Sequence, residues 1–425
     1  MTATPTPRAI DALVPASATL AINERIEQRI REGADVLHLA FGEAGLPLLP
    51  SVAEKLAESA PRTSYGSVVG SPEARAAAAG WYERRGLPTK PEQILFAPGS
   101  KPLIYGLLTV LPGDIVIPRP SWVSYAAHAA LAGKRTLKVP IGPTAGGVPD
   151  PDALEEKLID AKRDGAKPGV LVLTLPDNPT GTQPPPELVE RVCRIAEEHG
   201  LLVVADEIYR DLAHDVDAYR GPADYVAERS FVTNGLSKNM AIGGWRIGFA
   251  RMADGALGDE AKTALAGVAG AVWSALAAPM QAVAAHVLEE PDDVREHVAR
   301  SRALHRAVAR AAHDEVRAAG IDCRPPSGAF YLYPDFESRR GALAKHGVTT
   351  GQELAEHLLE RHDVGVLAGE AFGDEPEGLR VRMATSLLYG RTDDERRQAL
   401  GSDDPASLPR IAEALDRLGA ALDAL

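Results

Sequence analysis

The stretch from Val170 to Asp206, VLVLTLPDNPTGTQPPPELVERVCRIAEEHGLLVVAD, carries the pattern that decides the fold. It opens on an unbroken apolar run, Val170-Leu171-Val172-Leu173-Thr174-Leu175, and ends on another, Leu201-Leu202-Val203-Val204-Ala205. Runs this short, without polar alternation, read as strands buried on both faces. Between them Pro186 to His199 is amphipathic. Leu188, Val189, Val192 and Ile195 can face a core, while Glu187, Glu190 and Arg191 are polar. Short buried strands alternating with such helices predict a mostly parallel sheet covered by helices.

The alternation extends outward, from about Leu87 to Ala250. Asp114-Ile115-Val116-Ile117 reads as a strand, Pro118-Arg119-Pro120 as a turn, and Ser121 to Leu131 as helical. Pro102 to Leu111 is a further helical run, and Ser230-Phe231-Val232-Thr233 a further strand. The C-terminal part differs. Asp292 to Ala319 is one long helical pattern, Ala329 to Tyr333 is strand-like, and Gly351 to His362 and Ser407 to Leu425 are helical. Thr19 to Glu32 is a helical run ahead of the main sheet. The expected architecture is α/β: a three-layer α/β/α large domain over 46–295, with a smaller α+β domain formed by 1–45 and 296–425. Gly142 to Ala153, GPTAGGVPDPDA, reads as a surface loop from its Pro and Gly content.

The bulk numbers bound the function. The chain has 425 residues and a net charge of −13, which lacks the basic footprint of a nucleic-acid binder and disfavours an anionic membrane surface. Two cysteines, Cys193 and Cys323, make neither a disulfide framework nor a zinc-ligand cluster, so no metal site is expected. Both fit a reducing compartment. The opening MTATPTPRAIDALVP has no apolar core of a secretory signal, and no run of about 18 apolar residues is present to span a membrane. The cytoplasm is the expected location.

Chemistry-bearing residues follow the predicted strands. Asn178 in DNPTG follows the 170–175 run. Asp206 and Tyr209 in DEIY follow 201–205, and Lys238 in NGLSKN follows 230–233. Ligands of open α/β sheets bind outside the carboxyl ends of strands, so these groups can meet in one crevice. A lysine in a partly dry pocket can lose its proton and attack a carbonyl. A carboxylate can keep a pyridinium nitrogen protonated, and an amide and a phenol can bond a ring oxygen. Gly99-Ser100-Lys101, at a helix start, can offer N–H groups to a phosphate, to which Arg246 can add charge. Trp122 can stack on an aromatic ring. Each alone has a plainer reading: a turn, a helix cap, a surface ion pair, a core tryptophan or a solvated lysine.

Taken together the strings resemble the class I/II aminotransferases, the pyridoxal 5'-phosphate (PLP) enzymes of fold type I. SFVTNGLSKNMAIGGWRIGFA is similar to their lysine region. LPGDIVIPRPSWVSYAAH, LPDNPTGT, VVADEIYRDL, LRVRMATS, YGSVVGSPEARAA and PPSGAFYLY match other segments in family order, from about Gly42 to Ser386. The forms look closest to the bacterial aspartate and prephenate aminotransferase branch. The resemblance implies a ping-pong exchange of an amino group between an amino acid and a 2-oxo acid, through a Schiff base on Lys238. It implies that Asp206 pairs with the pyridine nitrogen, that Asn178 and Tyr209 bond the ring oxygen, and that Trp122 stacks on the ring. Gly99, Ser100, Lys101 and Arg246 would surround the phosphate, with Tyr65 of a neighbouring subunit in a homodimer with shared sites. Arg380 would hold the substrate α-carboxylate as a fork, with Arg382 the second candidate, and Gly42 would let the backbone approach that carboxylate.

Two departures stand out. Relatives carry Gly-Glu-Pro-Asp-Phe where this chain has Gly42-Glu43-Ala44-Gly45-Leu46-Pro47, and they place a small polar residue where Arg382 stands. The first departure motivates an alternative on the same fold: a PLP-dependent lyase, a γ-substituting enzyme or a cyclase of specialised metabolism. Lys101 sits where the acid-specific branch reaches a side-chain carboxylate, which implies an acidic substrate.

Overall fold

A computed structural model describes residues 18–425. The reading of the first fifteen residues as lacking a signal lies outside that range. In chain order the strands are β1 (Leu37–His38), β2 (Ile94–Pro98), β3 (Asp114–Arg119), β4 (Thr136–Pro140), β5 (Pro168–Thr174) and β6 (Leu202–Asp206). They continue as β7 (Ser230–Gly235), β8 (Ile247–Arg251), β9 (Tyr331–Leu332), β10 (Val364–Gly365), β11 (Leu367–Ala368) and β12 (Val381–Ala384).

Seven strands form the main sheet, in the order β2-β8-β7-β6-β5-β3-β4. The ladders from β7 through β6, β5 and β3 to β4 are parallel. Only β8 runs against the rest, between β7 and β2. Its reversal places its amino end beside the carboxyl ends of its neighbours, so residues just before β8 reach the same edge as residues just after β5, β6 and β7. The sheet is buried on both faces. Leu103, Leu107 and Leu265 cover one face, with Ile115, Val170, Val172 and Val204 inside. The helix Pro186–Glu198 covers the other with Val189, Val192, Ile195 and Ala196. Each Val, Leu or Ile among them contributes roughly 1.5–3 kcal/mol when fully buried. Pro186 opens this helix, where its missing N–H costs nothing and its fixed φ suits the first turn.

A second core gathers around the helix Asp292–Ala318, whose Leu304, Val308, Ala312 and Val316 pack with Phe330, Tyr331 and Leu332. The antiparallel sheet β11-β12-β9 stands on this core. The segment ahead of the main sheet joins it, since β1 pairs in parallel with β10. The fold is thus α/β with a mostly parallel central sheet and an α+β portion, as expected from the sequence.

Three local expectations need correction. The helix expected from Ser121 begins at Ser124, because Trp122 and Val123 sit in the turn that follows Pro120. The strand expected over Ala329–Tyr333 shrinks to Tyr331–Leu332, Ala329 taking a left-handed φ of 53°. The 142–153 loop is not a surface loop throughout. Ala145 to Pro149 are buried, and the helix Pro151–Arg163 already begins within the stretch. The glycines serve close approach: a Cβ on Gly147 would collide with the Thr174 carbonyl, and one on Gly146 with Asp177 and Thr180.

Candidate active site

A cavity of about 630 Å³ opens at the carboxyl edge of the main sheet, and Lys238, Asp206, Asn178, Tyr209, Trp122 and Arg382 line it. The strands explain the convergence. β5 ends at Thr174 and delivers Asn178, β6 ends on Asp206, and β7 ends at Gly235 ahead of Lys238. β3 ends at Arg119 just before Trp122. Arg246 immediately precedes the reversed β8 and lines the same cavity.

The Lys238 ammonium donates to the carbonyl of Gly42. Burial, and then the charge of Arg382, lower its pKa to about 8, with Glu43 and Asp206 pulling the other way. A lysine held there keeps a usable fraction of free amine near neutral pH. Asp206 lies behind it, 4% exposed. Its carboxylate accepts from the Tyr125 hydroxyl at 2.9 Å and from the Ile208 N–H at 3.3 Å. Burial still pushes it up to about 6, against the pull of these hydrogen bonds and of the Lys238 charge, and among the described residues it forms no ion pair. A protonated ring nitrogen would supply the cation for one. Tyr125 has no role in the sequence reading, although the quoted string WVSY contains it. Its hydroxyl joins Asp206 to Thr174, 2.8 Å away, and so fixes the carboxylate's orientation.

The two arginines of LRVRMATS part company. Arg382 is 3% exposed and lines the cavity. It donates from Nη1 to Asn178 Oδ1 at 3.1 Å and from Nη2 to the Ala40 carbonyl. Its guanidinium lies between the rings of Tyr331 and Phe372, at 4.9 and 5.0 Å from their centres. Arg380 does not line this cavity. It pairs with Asp335 at 2.8 Å and Asp374 at 3.0 Å, with its side chain 36% exposed. Alternation puts residues two apart on one face, but shifts them by about 6.6 Å along the strand. That shift carries Arg380 past the cavity wall. Of the two, the second candidate is the one the fold brings to Lys238.

The residues expected around a phosphate meet at the start of the helix Ser100–Val110. Gly99 has φ +93, and a Cβ there would collide with the Arg246 guanidinium. Ser100, Lys101 and Arg246 all line the cavity. The free N–H groups of that helix start suit an anion. Lys101 also lies 5.1 Å from the Trp122 ring centre. Tyr65 stays out of its own cavity. It is 98% exposed and borders a neighbouring groove of about 480 Å³ that also reaches Arg246.

The rewritten N-terminal segment closes the cavity from the other side. Phe41, Gly42 and Glu43 line it. Gly45, at φ +64, sits against the Ser386 carbonyl with no room for a Cβ, and the Ser386 hydroxyl donates to the Glu43 carbonyl. The small residues that replace Pro-Asp therefore dock this backbone tightly onto the 384–386 strand end. Glu43, Phe41 and Tyr331 line the cavity and Phe372 backs Arg382, and the sequence reading left all four without a task. Tyr331 lay in a quoted string, PPSGAFYLY, but nothing in the string tells which ring turns inward.

These residues suit PLP. A nucleophilic lysine, a buried carboxylate lacking a cation, an amide whose oxygen is already bonded, and a glycine-opened anion cradle share one cavity. Residues 34–388 match the family described as aminotransferase class I and II. The chain is similar to the aspartate/prephenate aminotransferase of Cereibacter sphaeroides, 30% identical over 394 residues covering 88% of this chain and 93% of the relative. It is also similar to the aspartate/prephenate aminotransferase of Thermus thermophilus, 30% identical over 388 residues covering 89% and 94%. Among solved structures, the aspartate aminotransferase from Thermus thermophilus with maleate superposes with a TM-score of 0.80 at 27% identity. That match covers 97% of this chain and 100% of the other.

Proposed function

The chain belongs to the class I and II aminotransferases, and from that premise we propose that it is an acidic-substrate enzyme whose α-carboxylate site is Arg382. It is a PLP-dependent aminotransferase of fold type I. When bound, PLP supplies the electron sink that lets an amino acid's Cα lose its proton. The chain's own residues direct that chemistry. Lys238 Nζ would hold the cofactor and is the base placed to move a proton at the substrate Cα. Asp206 would keep a proton on the ring nitrogen. Asn178, its Oδ1 committed to Arg382, has Nδ2 free to donate to the ring oxygen alongside the Tyr209 hydroxyl. Ser100, the helix N–H groups and Arg246 would take the phosphate, and Trp122 would cover the ring.

The observation that carries the substrate reading is the charge of the cavity. Arg382 lies in it besides the groups assigned to the cofactor, and Lys101, beside the proposed phosphate site, is a second cation within the same cavity that can take a carboxylate. The similar Thermus protein was solved with maleate, a dicarboxylate. We therefore propose aspartate or glutamate as amino donor. An amino-acid panel scored by absorbance of the holoenzyme tests this. Aspartate or glutamate is expected to convert the cofactor to its amine form at least about tenfold more efficiently than alanine, a difference of about 1.4 kcal/mol. Equal conversion by alanine would remove the acidic assignment. The relatives cited are all named aminotransferases, and no observation favours the lyase or cyclase alternative.

Further parts of the reading are proposals of the same kind. We assign 46–295 as the cofactor domain and 1–45 with 296–425 as the smaller one, supported by the β1–β10 pairing. A homodimer is supported by the exposed Tyr65. Cys193 and Cys323 are buried and free, which fits the cytoplasm. Among the described residues no helix is long and apolar enough to cross a membrane.

A further inference from the structure

Tyr331 touches three parts of the site. It is fully buried, and its hydroxyl lies 2.7 Å from that of Tyr209. Its ring lies under the Arg382 guanidinium, 4.9 Å away. Gly42 makes room for it, since a Cβ there would strike the Tyr331 hydroxyl. We propose that Tyr331 is a positioning residue that tunes the acidity of the lysine-linked cofactor by donating its proton to Tyr209. This rests on the reading of Tyr209 as a donor to the ring oxygen.

A phenol has one proton. If Tyr209 gives its own to the ring oxygen, the bond between the two tyrosines must be donated by Tyr331. Burial raises the pKa of both phenols above the ordinary value, so both keep their protons across the working range. A donor into the Tyr209 oxygen polarises its O–H and strengthens the bond beyond. The ring oxygen carries most negative charge when the linked nitrogen has lost its proton. Donors to that oxygen therefore favour the deprotonated form and lower the pKa of the linkage. Arg382 holds the relay still: its guanidinium covers the Tyr331 ring, and its Nη1 holds Asn178, the second proposed donor to the oxygen.

The test is a pH titration of the holoenzyme's visible absorbance in wild type, Tyr209→Phe, Tyr331→Phe and Tyr331→Leu. Tyr209→Phe is expected to raise the midpoint by about 1 unit, and Tyr331→Phe by about 0.3–0.5 unit, the smaller effect of a bond one step removed. Tyr331→Phe keeps the ring under Arg382, so its KM for the 2-oxo acid is expected to stay within about twofold of wild type. A Tyr331→Phe midpoint within about 0.1 unit of wild type, with Tyr209→Phe shifted, would overturn the relay and leave the ring-oxygen assignment standing. No shift in Tyr209→Phe would overturn that assignment and the relay with it. A shift in Tyr331→Leu alone would reduce Tyr331 to packing and overturn the proposal.

Discussion

Arg382 is the residue on which the proposed substrate site turns. It is buried, lines the same cavity as Lys238, and packs against two aromatic rings. An arginine fixed this way presents its fork without reordering, which is what a carboxylate needs. Removing one partner of a buried charge pair costs about 3 kcal/mol or more, roughly a hundredfold. Arg382→Ala should therefore lower kcat/KM for the amino donor by at least about 10². Arg380→Ala breaks a half-exposed pair with Asp335 and Asp374 and should cost less than about tenfold. Steady-state kinetics on both variants decide the point, and the reverse ranking would return the α-carboxylate to Arg380. The sequence held both arginines and could not rank them. A period of two puts both on one face, and only the position of the strand along the cavity separates them. Lys238, Asp206 and Asn178 were easier to read because each follows the end of an unmistakable strand. Tyr125 and Tyr331 were not, because a buried aromatic in a motif looks the same whether it fills a core or lines a site.

At the scale of elements, the turn after β5 stores a cost that the fold tolerates. Asp177 is 1% exposed. One of its oxygens accepts from the Thr180 N–H at 3.1 Å and hydroxyl at 2.6 Å, and the other has no partner among the described residues. Burial pushes its pKa up to about 7. The folded value lies above the unfolded one, so the ionised form is penalised. That penalty is absent below about pH 4, grows up to pH 7 and is complete above it, at about 1.4 kcal/mol per unit. Asn in its place accepts the same two bonds without charge, but adds a buried donor worth about 1–3 kcal/mol unpaired. Asp177→Asn is therefore expected to unfold about 1–3 kcal/mol less readily than wild type at pH 8, and no less readily at pH 4. Denaturant melts at the two pH values measure it. A gain of equal size at both would remove the ionised carboxylate as its cause. The neighbouring 142–153 segment shows why loops are hard to read. Glycine marks exposed turns and close backbone contacts alike, and here Gly146 and Gly147 press against this same turn.

The whole molecule leaves one proposed ligand of the phosphate unplaced. Tyr65 stands 98% exposed beside a groove shared with Arg246, which an isolated chain gives no reason for. Val272, 64% exposed, lies just ahead of Trp273 on the rim of the same groove. A second copy seated there by two-fold symmetry would bring each Tyr65 to the other's cradle and cover these apolar side chains. Mixed dimers separate this from a role in the same chain. In a hybrid of Lys238→Ala with Tyr65→Ala, a shared site joins the intact Lys238 of one chain to the intact Tyr65 of the other. The doubly altered site is dead and the remaining one is whole. After unfolding and refolding an equal mixture, roughly a quarter of the sites should bind cofactor with wild-type affinity. If Tyr65 served its own chain, neither site of the hybrid would be whole, and the mixture would bind no better than the two parents apart. The measurement is cofactor titration at low PLP, where a lost phosphate contact shows as weaker binding and is not masked by saturation.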